Sequence, residues 1–306
     1  MKSALSKFIA FAAVLILSLP AVGKVRVTVT TTHIADLIKQ IGGDAVEVEA
    51  LMAPGVDPHL FKPAAPDVGK LTRADLVLYN GLFLEGQMGD TLERMEKRGK
   101  RVRALAEAVP VEKRLAHSDY DDHYDPHAWL NPSLWAYVAD AAVEELSAID
   151  PKNKALYAKN GSSFKAILSD CEAWANTIIS EIPEERRILV TSHDAFNYFG
   201  NCFGLEVVAI QGISTAVEAG LADISSMVNM IKTRSIPAIF VESSVSPSAI
   251  ERVSRDSGAK VGGELFSDSL GISGDVLKTA DGQIYPVDSW EGMFRHNVLT
   301  FAQAVK

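Results

Sequence analysis

The stretch Asp125-Pro126-His127-Ala128-Trp129-Leu130-Asn131-Pro132 sets a histidine in a proline-stiffened loop directly before a predicted helix over 132–149. The same unit occurs earlier, as Asp57-Pro58-His59. Proline fixes its own φ and restricts the residue before it, and histidine is the commonest protein ligand for transition metals. Either unit alone is also an ordinary turn. Together, the two units suggest one metal site that is assembled from two rigid loops.

Strands and helices alternate on both sides of this stretch, and this alternation predicts an α/β fold. Short runs of β-branched and apolar residues predict the strands, and apolar residues at three- and four-residue steps predict the helices. The predicted strands cover residues 25–30, 46–52, 76–79, 102–105, 187–190, 207–210, 238–241 and 260–261. Continuous apolar runs are typical of strands in parallel sheets, so we expect the sheets to be mainly parallel.

One long helix is predicted in the middle of the chain, over residues 151–182. Asp150 is the predicted N-cap and Pro151 lies in the first turn, while Asn160-Gly161 could bend the helix. A single helix of this length in mid-chain suggests a rigid link between two α/β lobes. We therefore expect an N-terminal lobe over 24–150 and a C-terminal lobe over 183–306.

Four polar side chains are predicted to meet between the two lobes. His59, His193 and Asp268 each follow a predicted strand, and His127 precedes a helix. Ligands of open α/β sheets bind outside the carboxyl ends of the strands, and each lobe supplies two of these residues. Three imidazoles and one carboxylate complete the coordination of zinc, or of a five-coordinate manganese or iron ion if the carboxylate is bidentate. The sequence therefore predicts a metal site in the interdomain cleft.

Some other polar residues have two possible roles, and two further histidines are expected to be structural. Glu242, at the end of the predicted strand 238–241, is either a hydrogen-bond partner for a ligating imidazole or a surface or helix-capping carboxylate. His33 and His296 lie among helical residues and are read as structural. The polar segment 117–125 is either a loose cation-binding loop or a solvated surface loop.

Residues 1–23 have the pattern of a cleavable signal peptide. Lys2 and Lys7 precede the apolar run 8–19, and small residues follow at 21–23. No cysteine adjoins the expected cleavage point, so we expect a periplasmic protein without a lipid anchor. Cleavage would change the formal charge of −9 to −11 by removing two lysines, and this acidity argues against nucleic acid as a partner. Cys171 and Cys202 could pair in an oxidising compartment, and a bridge is slightly favoured.

Six motifs spread over the whole mature chain carry a family resemblance. They are Ile-Gly-Gly-Asp (41–44), Asp-Pro-His (57–59), Asp-Pro-His-Ala-Trp-Leu-Asn-Pro (125–132), Ser-His-Asp-Ala-Phe-Asn-Tyr-Phe (192–199), Glu-Ser-Ser (242–244) and Gly-Gly-Glu-Leu-Phe-Ser-Asp (262–268). With these motifs the chain resembles the cluster A-I, or TroA/ZnuA-like, metal-binding solute-binding proteins of bacterial ABC importers.

The resemblance implies a function, a fold and a ligand set. The function is that of a monomeric periplasmic receptor, not an enzyme, that captures zinc, manganese or iron and delivers it to an ABC permease of the inner membrane. The fold is two α/β lobes joined by one long helix. The family's four ligands fall on His59, His127, His193 and Asp268, the residues that loop placement also indicates.

The identity of the metal stays open at this point. Manganese-selective members of the family often carry glutamate where this chain has His193, whereas zinc receptors often have a long histidine-rich loop that is short here. By the Irving–Williams order, and because imidazole is a neutral and softer ligand, zinc is expected to bind more tightly than manganese. Protons should compete with the metal between about pH 6.5 and 5.

Two other classes of protein remain as alternatives. A metal-dependent hydrolase needs an open coordination position and a general base, but the sequence has no His-Glu-x-x-His, Gly-x-Ser-x-Gly or Walker A motif. An adhesin-like surface protein with a structural metal would lose its ion only on unfolding. Metal exchange and turnover therefore separate the three classes.

Overall fold

The computed structural model describes residues 23–116 and 123–306 of the chain. The predicted signal peptide, apart from Gly23, and most of the polar segment 117–125 lie outside the described residues. None of the helices in these two ranges combines the length and the apolar character that a membrane crossing requires.

The N-terminal lobe is built on a four-stranded parallel sheet. Its strands are β1 (Val25–Val29), β2 (Val46–Ala50), β3 (Leu76–Tyr79) and β4 (Val102–Ala104), and its helices are α1 (Thr32–Gly42), α2 (Ala65–Arg73), α3 (Gly89–Lys97) and α4 (Pro132–Ile149). The strand order is β2-β1-β3-β4, and every neighbouring pair is parallel. In β3, Leu76, Val77 and Leu78 are all fully buried, as expected for a strand that is covered on both faces.

A long helix, α5 (Lys154–Ser180), follows the N-terminal lobe and packs against α1 and α4. A 3₁₀ turn, Pro151–Asn153, precedes it, so the helix begins three residues later than predicted. Asp150 is the N-cap of this turn and not of α5, and its side chain caps no backbone N–H. Its Oδ2 atom instead accepts hydrogen bonds from the hydroxyl of Tyr157 and the side-chain amide of Asn153. The helix runs uninterrupted through Gly161, which gives α4 room to approach.

The C-terminal lobe repeats the α/β alternation. Its strands are β5 (Ile188–Thr191), β6 (Glu206–Ala209), β7 (Ala238–Glu242), β8 (Lys260–Leu265), β9 (Val276–Lys278) and β10 (Ile284–Pro286), and its helices are α6 (Asn197–Phe203), α7 (Leu221–Arg234), α8 (Ser248–Ser257) and α9 (Trp290–Val305). The pairs β5–β6 and β7–β8 are parallel. We therefore confirm the predicted class, two α/β lobes with mainly parallel sheets and one long helix between them.

Two features of the C-terminal lobe were not predicted. Strand β8 continues through Gly262 and Gly263, where the sequence predicted a break. These positions require glycine because an added Cβ would lie 2.6 Å from Ala304 and 2.5 Å from Thr300 of α9. The two glycines thus let α9 lie directly on the strand. The second feature is the antiparallel hairpin β9–β10, whose exposed three-residue strands are too short to show a period.

A shared apolar core joins the lobes on the side of α5. The core runs from β1 and α1 through α4 and α5 to α9. Two tryptophans connect the backbones at its centre, since the indole of Trp129 donates to the carbonyl of Ser267 (2.8 Å) and the indole of Trp290 donates to the carbonyl of Trp129 (2.9 Å). The lobes are therefore fixed to each other at their base, where Trp290 also packs against Phe164 of α5.

Candidate metal centre

The fold brings His59, His127, His193 and Asp268 together in the cleft. One donor atom from each residue lies within 4.8 Å of the others, and all four side chains are buried. His193 follows β5 and Asp268 follows β8, both at the carboxyl end of their strands, while His59 lies in the loop after β2. The side chain of Asn80, just beyond β3, donates to the carbonyl of Pro126 and so holds the loop of His127 at the same edge.

The spacing of the donor atoms suits a small cation. The Nε2 atoms of His59 and His127 are 3.4 Å apart, and the Asp268 oxygens lie 3.4 Å from His127 Nε2 and 3.3 Å from His193 Nε2. A tetrahedron with zinc–ligand bonds of about 2.0–2.1 Å has edges of about 3.3 Å. Three contacts among these side chains therefore match such an edge, and the two that involve Asp268 use its two different oxygens, as a bidentate carboxylate would.

Asp125 orients the ring of His127. Its Oδ1 atom accepts hydrogen bonds from the backbone N–H of His127 (2.9 Å) and from ring Nδ1 (2.7 Å). Because Nδ1 carries the proton, the lone pair of Nε2 faces the centre. The sequence indicated Asp125 only as a turn residue, although its place in the repeated Asp-Pro-His unit was a usable signal.

Glu242 lies beside the outer ring nitrogen of His193, as Asp125 lies beside that of His127. Its Oε2 atom lies 2.5 Å from His193 Nδ1, and its Oε1 atom accepts the backbone N–H groups of Ser192 (2.8 Å) and His193 (2.9 Å). The carboxylate is buried at the end of β7. Glu242 is therefore not a surface carboxylate, and its role as a partner for a ligating imidazole stays a prediction.

Asp268 accepts a hydrogen bond from one serine, whose hydroxyl also contacts a second serine. The Ser244 hydroxyl donates to Asp268 Oδ2 (3.2 Å) and lies 2.9 Å from the hydroxyl of Ser267. The carbonyl of Ser267 accepts the indole of Trp129, which links this carboxylate to the tryptophan pair at the base of the cleft.

The carboxylates set the charge of the centre. Burial alone would lower the pKa of His127, but the negative charges of Asp125 and Asp268 outweigh it and raise that pKa to about 9. Burial is likewise outweighed at His193, where Glu242 and Asp268 raise the pKa well above its ordinary value. At Asp268, burial would raise the pKa, but the two imidazoles lower it well below the usual range. Without metal, protons on these two imidazoles therefore offset part of the negative charge of the three carboxylates.

His33 and His296, which the sequence predicts to be structural, lie outside the cluster of four proposed ligands. His33 is fully buried, and its ring stacks on Trp129 with 4.7 Å between the ring centroids. Burial lowers its pKa to about 3, so this imidazole is neutral. His296 Nε2 is 2.9 Å from the carbonyl of Glu264 on β8. Within the polar segment 117–125, His123 is described and its ring packs against Phe83, whereas His117 lies outside the described residues.

The slight preference for a Cys171–Cys202 bridge was wrong. Both thiols are free, and burial raises the pKa of each to about 12, so both remain protonated at neutral pH. Cys171 is buried in α5 as an apolar side chain. Sequence cannot measure the distance between two cysteines, and the choice rested on the expected compartment alone.

Comparison with known proteins gives consistent matches over nearly the whole chain. The family model described as "ZnuA: Zinc-uptake complex component A periplasmic" matches residues 27–304. The manganese-binding lipoprotein MntA of Bacillus subtilis is 41% identical over 288 residues, which are 92% of this chain and 90% of that protein. The metal ABC transporter substrate-binding lipoprotein FimA of Streptococcus parasanguinis is 33% identical over 260 residues, which are 83% of this chain and 84% of that protein.

A solved structure agrees with these matches. The periplasmic zinc-binding protein TroA from Treponema pallidum superposes with a TM-score of 0.86 at 37% sequence identity, covering 92% of this chain and 99% of that chain. The likeness in fold therefore extends over both lobes and the long helix between them.

Proposed function

Because this chain belongs to the ZnuA family of metal-binding solute receptors, we propose that it captures a divalent transition metal ion and delivers it to the permease of an ABC importer. The cargo is zinc or manganese, with iron as a further candidate, and it is held by His59, His127, His193 and Asp268. The observation that carries the proposal is the set of four buried side chains whose donor atoms lie within 4.8 Å of one another, with three contacts at 3.3–3.4 Å.

The arrangement favours a receptor over a metal-dependent hydrolase. A catalytic zinc keeps one position open for water or substrate, whereas four buried protein side chains are available here as donors. The imidazoles of His127 and His193 are each backed by a carboxylate, which raises their strength as ligands. The chain is thus proposed to be a binding protein without turnover, acting as a monomer in the periplasm.

The division of the chain follows from the same proposal. We take residues 24–150 and 183–306 as the two lobes and residues 151–182 as the link. This division is supported by the separate sheets of β1–β4 and β5–β8 and by α5, which contacts helices on both sides of it in sequence. The ion would then be bound where the lobes face each other.

Parallel titrations of metal-free mature protein with Zn²⁺ and Mn²⁺ test the function. We expect one ion per chain, release to a chelator without unfolding, and tighter binding of zinc. Alanine at His127 should abolish tight binding, whereas His296→Ala should bind like the native protein, because that ring lies outside the cluster.

Each of the competing classes has its own outcome in this experiment. An ion that is lost only when the protein unfolds would indicate a structural metal. Hydrolysis that depends on the bound ion would indicate an enzyme. Native affinity in the His127→Ala variant would exclude the four-residue site.

A further inference from the structure

The two Asp-Pro-His units share one geometry and differ in one partner. In both, the aspartate Oδ1 atom accepts the backbone N–H of the histidine two residues later, at 2.8 Å for Asp57 and 2.9 Å for Asp125. In both, the Oδ2 atom accepts a side chain of the C-terminal lobe. The donor is the hydroxyl of Thr215 for Asp57 (2.6 Å) and the amide of Asn197 for Asp125 (3.2 Å).

The backbone around each Asp-Pro-His unit has its own set of hydrogen bonds. The carbonyl of Asp125 also accepts the hydroxyl of Tyr198 (3.0 Å), and the N–H of Asp125 donates to Leu115. Asp57 lies in the loop between β2 and α2, residues 51–64, which we call the His59 loop. The hydrogen bonds that join this loop to the C-terminal lobe include one from Thr215 to Asp57 and one from the N–H of Gly55 to the hydroxyl of Ser269 (2.9 Å).

His59 is also the most exposed of the four proposed ligands, at 6%. It lines a surface cavity of about 150 Å³ together with Phe83 of the N-terminal lobe and Ser214 of the C-terminal lobe. Thr215, adjacent to Ser214, is only 6% exposed. The contact between its hydroxyl and Asp57 therefore spans the cleft beside the opening next to His59.

We propose that Thr215 is a positioning residue that controls how fast the metal leaves. Its hydroxyl fixes Asp57, and Asp57 fixes the backbone of His59, so the ligand stays in place as long as the two lobes are joined at this point. A hydroxyl bonded to a carboxylate makes a short, charge-assisted hydrogen bond. The inference rests on the proposed function, since it concerns retention of the same ion.

The test is the rate of metal release from loaded full-length mature protein into excess chelator, measured for Zn²⁺ by stopped flow. Thr215→Val removes the hydroxyl and keeps the branched shape. We expect release about ten-fold faster, with the association rate changed less than two-fold. Thr215→Ser keeps the hydroxyl and should release the ion at nearly the native rate.

A double-mutant cycle identifies the route of the effect. If Thr215 acts through Asp57, Thr215→Val should add less than about two-fold to the release rate in an Asp57→Asn background. Thr177→Val is the matched control, because that exposed hydroxyl donates only to Ala173 within α5. The unfolding temperature of the metal-free Thr215→Val protein should stay near the native value, which a purely structural role would lower.

The outcomes separate this inference from the proposed function. Native protein that binds no metal would overturn the function. Native protein that binds metal, together with a Thr215→Val protein that releases it at the native rate, would overturn the role of Thr215 alone. Equally fast release by Thr215→Val and Thr215→Ser would also overturn it, because packing and not the hydroxyl would then matter. If Thr215→Val does not fold, release by Asp57→Asn at the native rate would overturn that role instead.

Discussion

Single residues decide the protonation of the proposed centre. Each of two proposed ligands, His127 and His193, has a carboxylate at its outer ring nitrogen, Asp125 in one case and Glu242 in the other. The carboxylates fix the tautomer and also attract protons to the imidazoles. The same groups that prepare the rings for a cation therefore make protons compete for them.

Metal binding is expected to release protons and to weaken as pH falls below about 9. The metal needs neutral imidazoles, and the pKa of His127 is raised to about 9. Below that pH, the affinity for metal should fall by up to ten-fold per pH unit for each proton that the metal must displace. The sequence had placed this window between about pH 6.5 and 5, because it assumed ordinary imidazoles. Calorimetry at pH 7 in buffers of different ionisation enthalpy measures the protons released, and a count of zero would contradict the prediction.

Glu242→Gln is expected to weaken metal binding by about 10- to 100-fold. Glutamine can still accept the N–H groups of Ser192 and His193, but its amide would face His193 Nδ1 and favour the tautomer with the proton on Nε2. That proton would block the lone pair that the metal needs. Glu264→Gln, at an exposed position of β8, is the matched control. Unchanged affinity in Glu242→Gln would show that the carboxylate does not set the tautomer.

Selectivity is expected to follow the ligand types at the centre. Asp268 with three neutral imidazoles leaves a divalent ion with a formal charge of +1, and the nitrogen ligands favour zinc over manganese. His193→Glu should shift the ratio of affinities towards manganese. Because Glu242 would then lie beside a second carboxylate, the shift should be larger with Glu242→Gln added. A native preference for manganese in direct competition at neutral pH would show that cleft geometry overrides ligand type.

The four proposed ligands could be predicted because loop position and residue type agree at each of them. His59 and His127 lie in rigid repeated units, and His193 and Asp268 follow strands. Thr215 and Asn197 could not be predicted, because nothing in their own sequence neighbourhood shows that they face Asp57 and Asp125 across the cleft. Those contacts depend on how the lobes are joined.

At the level of secondary structure, α5 decides how closely the helices behind the cleft can approach. Sequence periodicity predicted the helix and both lobes well, because apolar faces recur over many turns. It read Gly161 as a bend, but the glycine lies opposite Val143 of α4, and an added Cβ would overlap the Val143 Cγ2 atom. A close approach between two helices cannot be read from either helix alone.

Gly161→Ala is expected to destabilise the protein by about 1 kcal/mol. Alanine gains about 1 kcal/mol in helix propensity over glycine, but overpacking a tight contact costs about 1–3 kcal/mol. Urea unfolding of the metal-free protein measures the difference. Adding Val143→Ala should relieve the overlap, and Gly89→Ala, where a Cβ meets nothing within 4 Å, should cost nothing. A Gly161→Ala protein as stable as the native one would show that α4 moves aside freely.

For the whole molecule, the shared core should make both lobes unfold together. The core passes from β1 through α5 to α9 without interruption, and the bonds of Trp129 and Trp290 join the lobes at its centre. The cleft side has polar contacts, whereas the base is apolar. Cooperative unfolding and local movement at the cleft are therefore compatible.

Thermal unfolding should show one transition that metal shifts upwards. An ion at 100 times its dissociation constant stabilises the folded state by about 2.7 kcal/mol, which raises the unfolding temperature of a protein of this size by about 4–5 °C. Differential scanning calorimetry with and without Zn²⁺ measures the shift, and a chelator should reverse it. Two separate transitions in the metal-free protein would contradict a common core.

The equal division of donors between the lobes has a consequence for delivery. Each lobe offers a bidentate half-site, His59 with His127 on one side and His193 with Asp268 on the other. An ion that is held by one half meets the other at an effective concentration set by the separation of the lobes, not by the solution. Parting the lobes would reduce the number of donors from four to two. The affinity would then fall by many factors of ten, and each factor of ten corresponds to about 1.4 kcal/mol of binding free energy. A permease that pulls the lobes apart would therefore convert a tight site into a weak one without touching the ion.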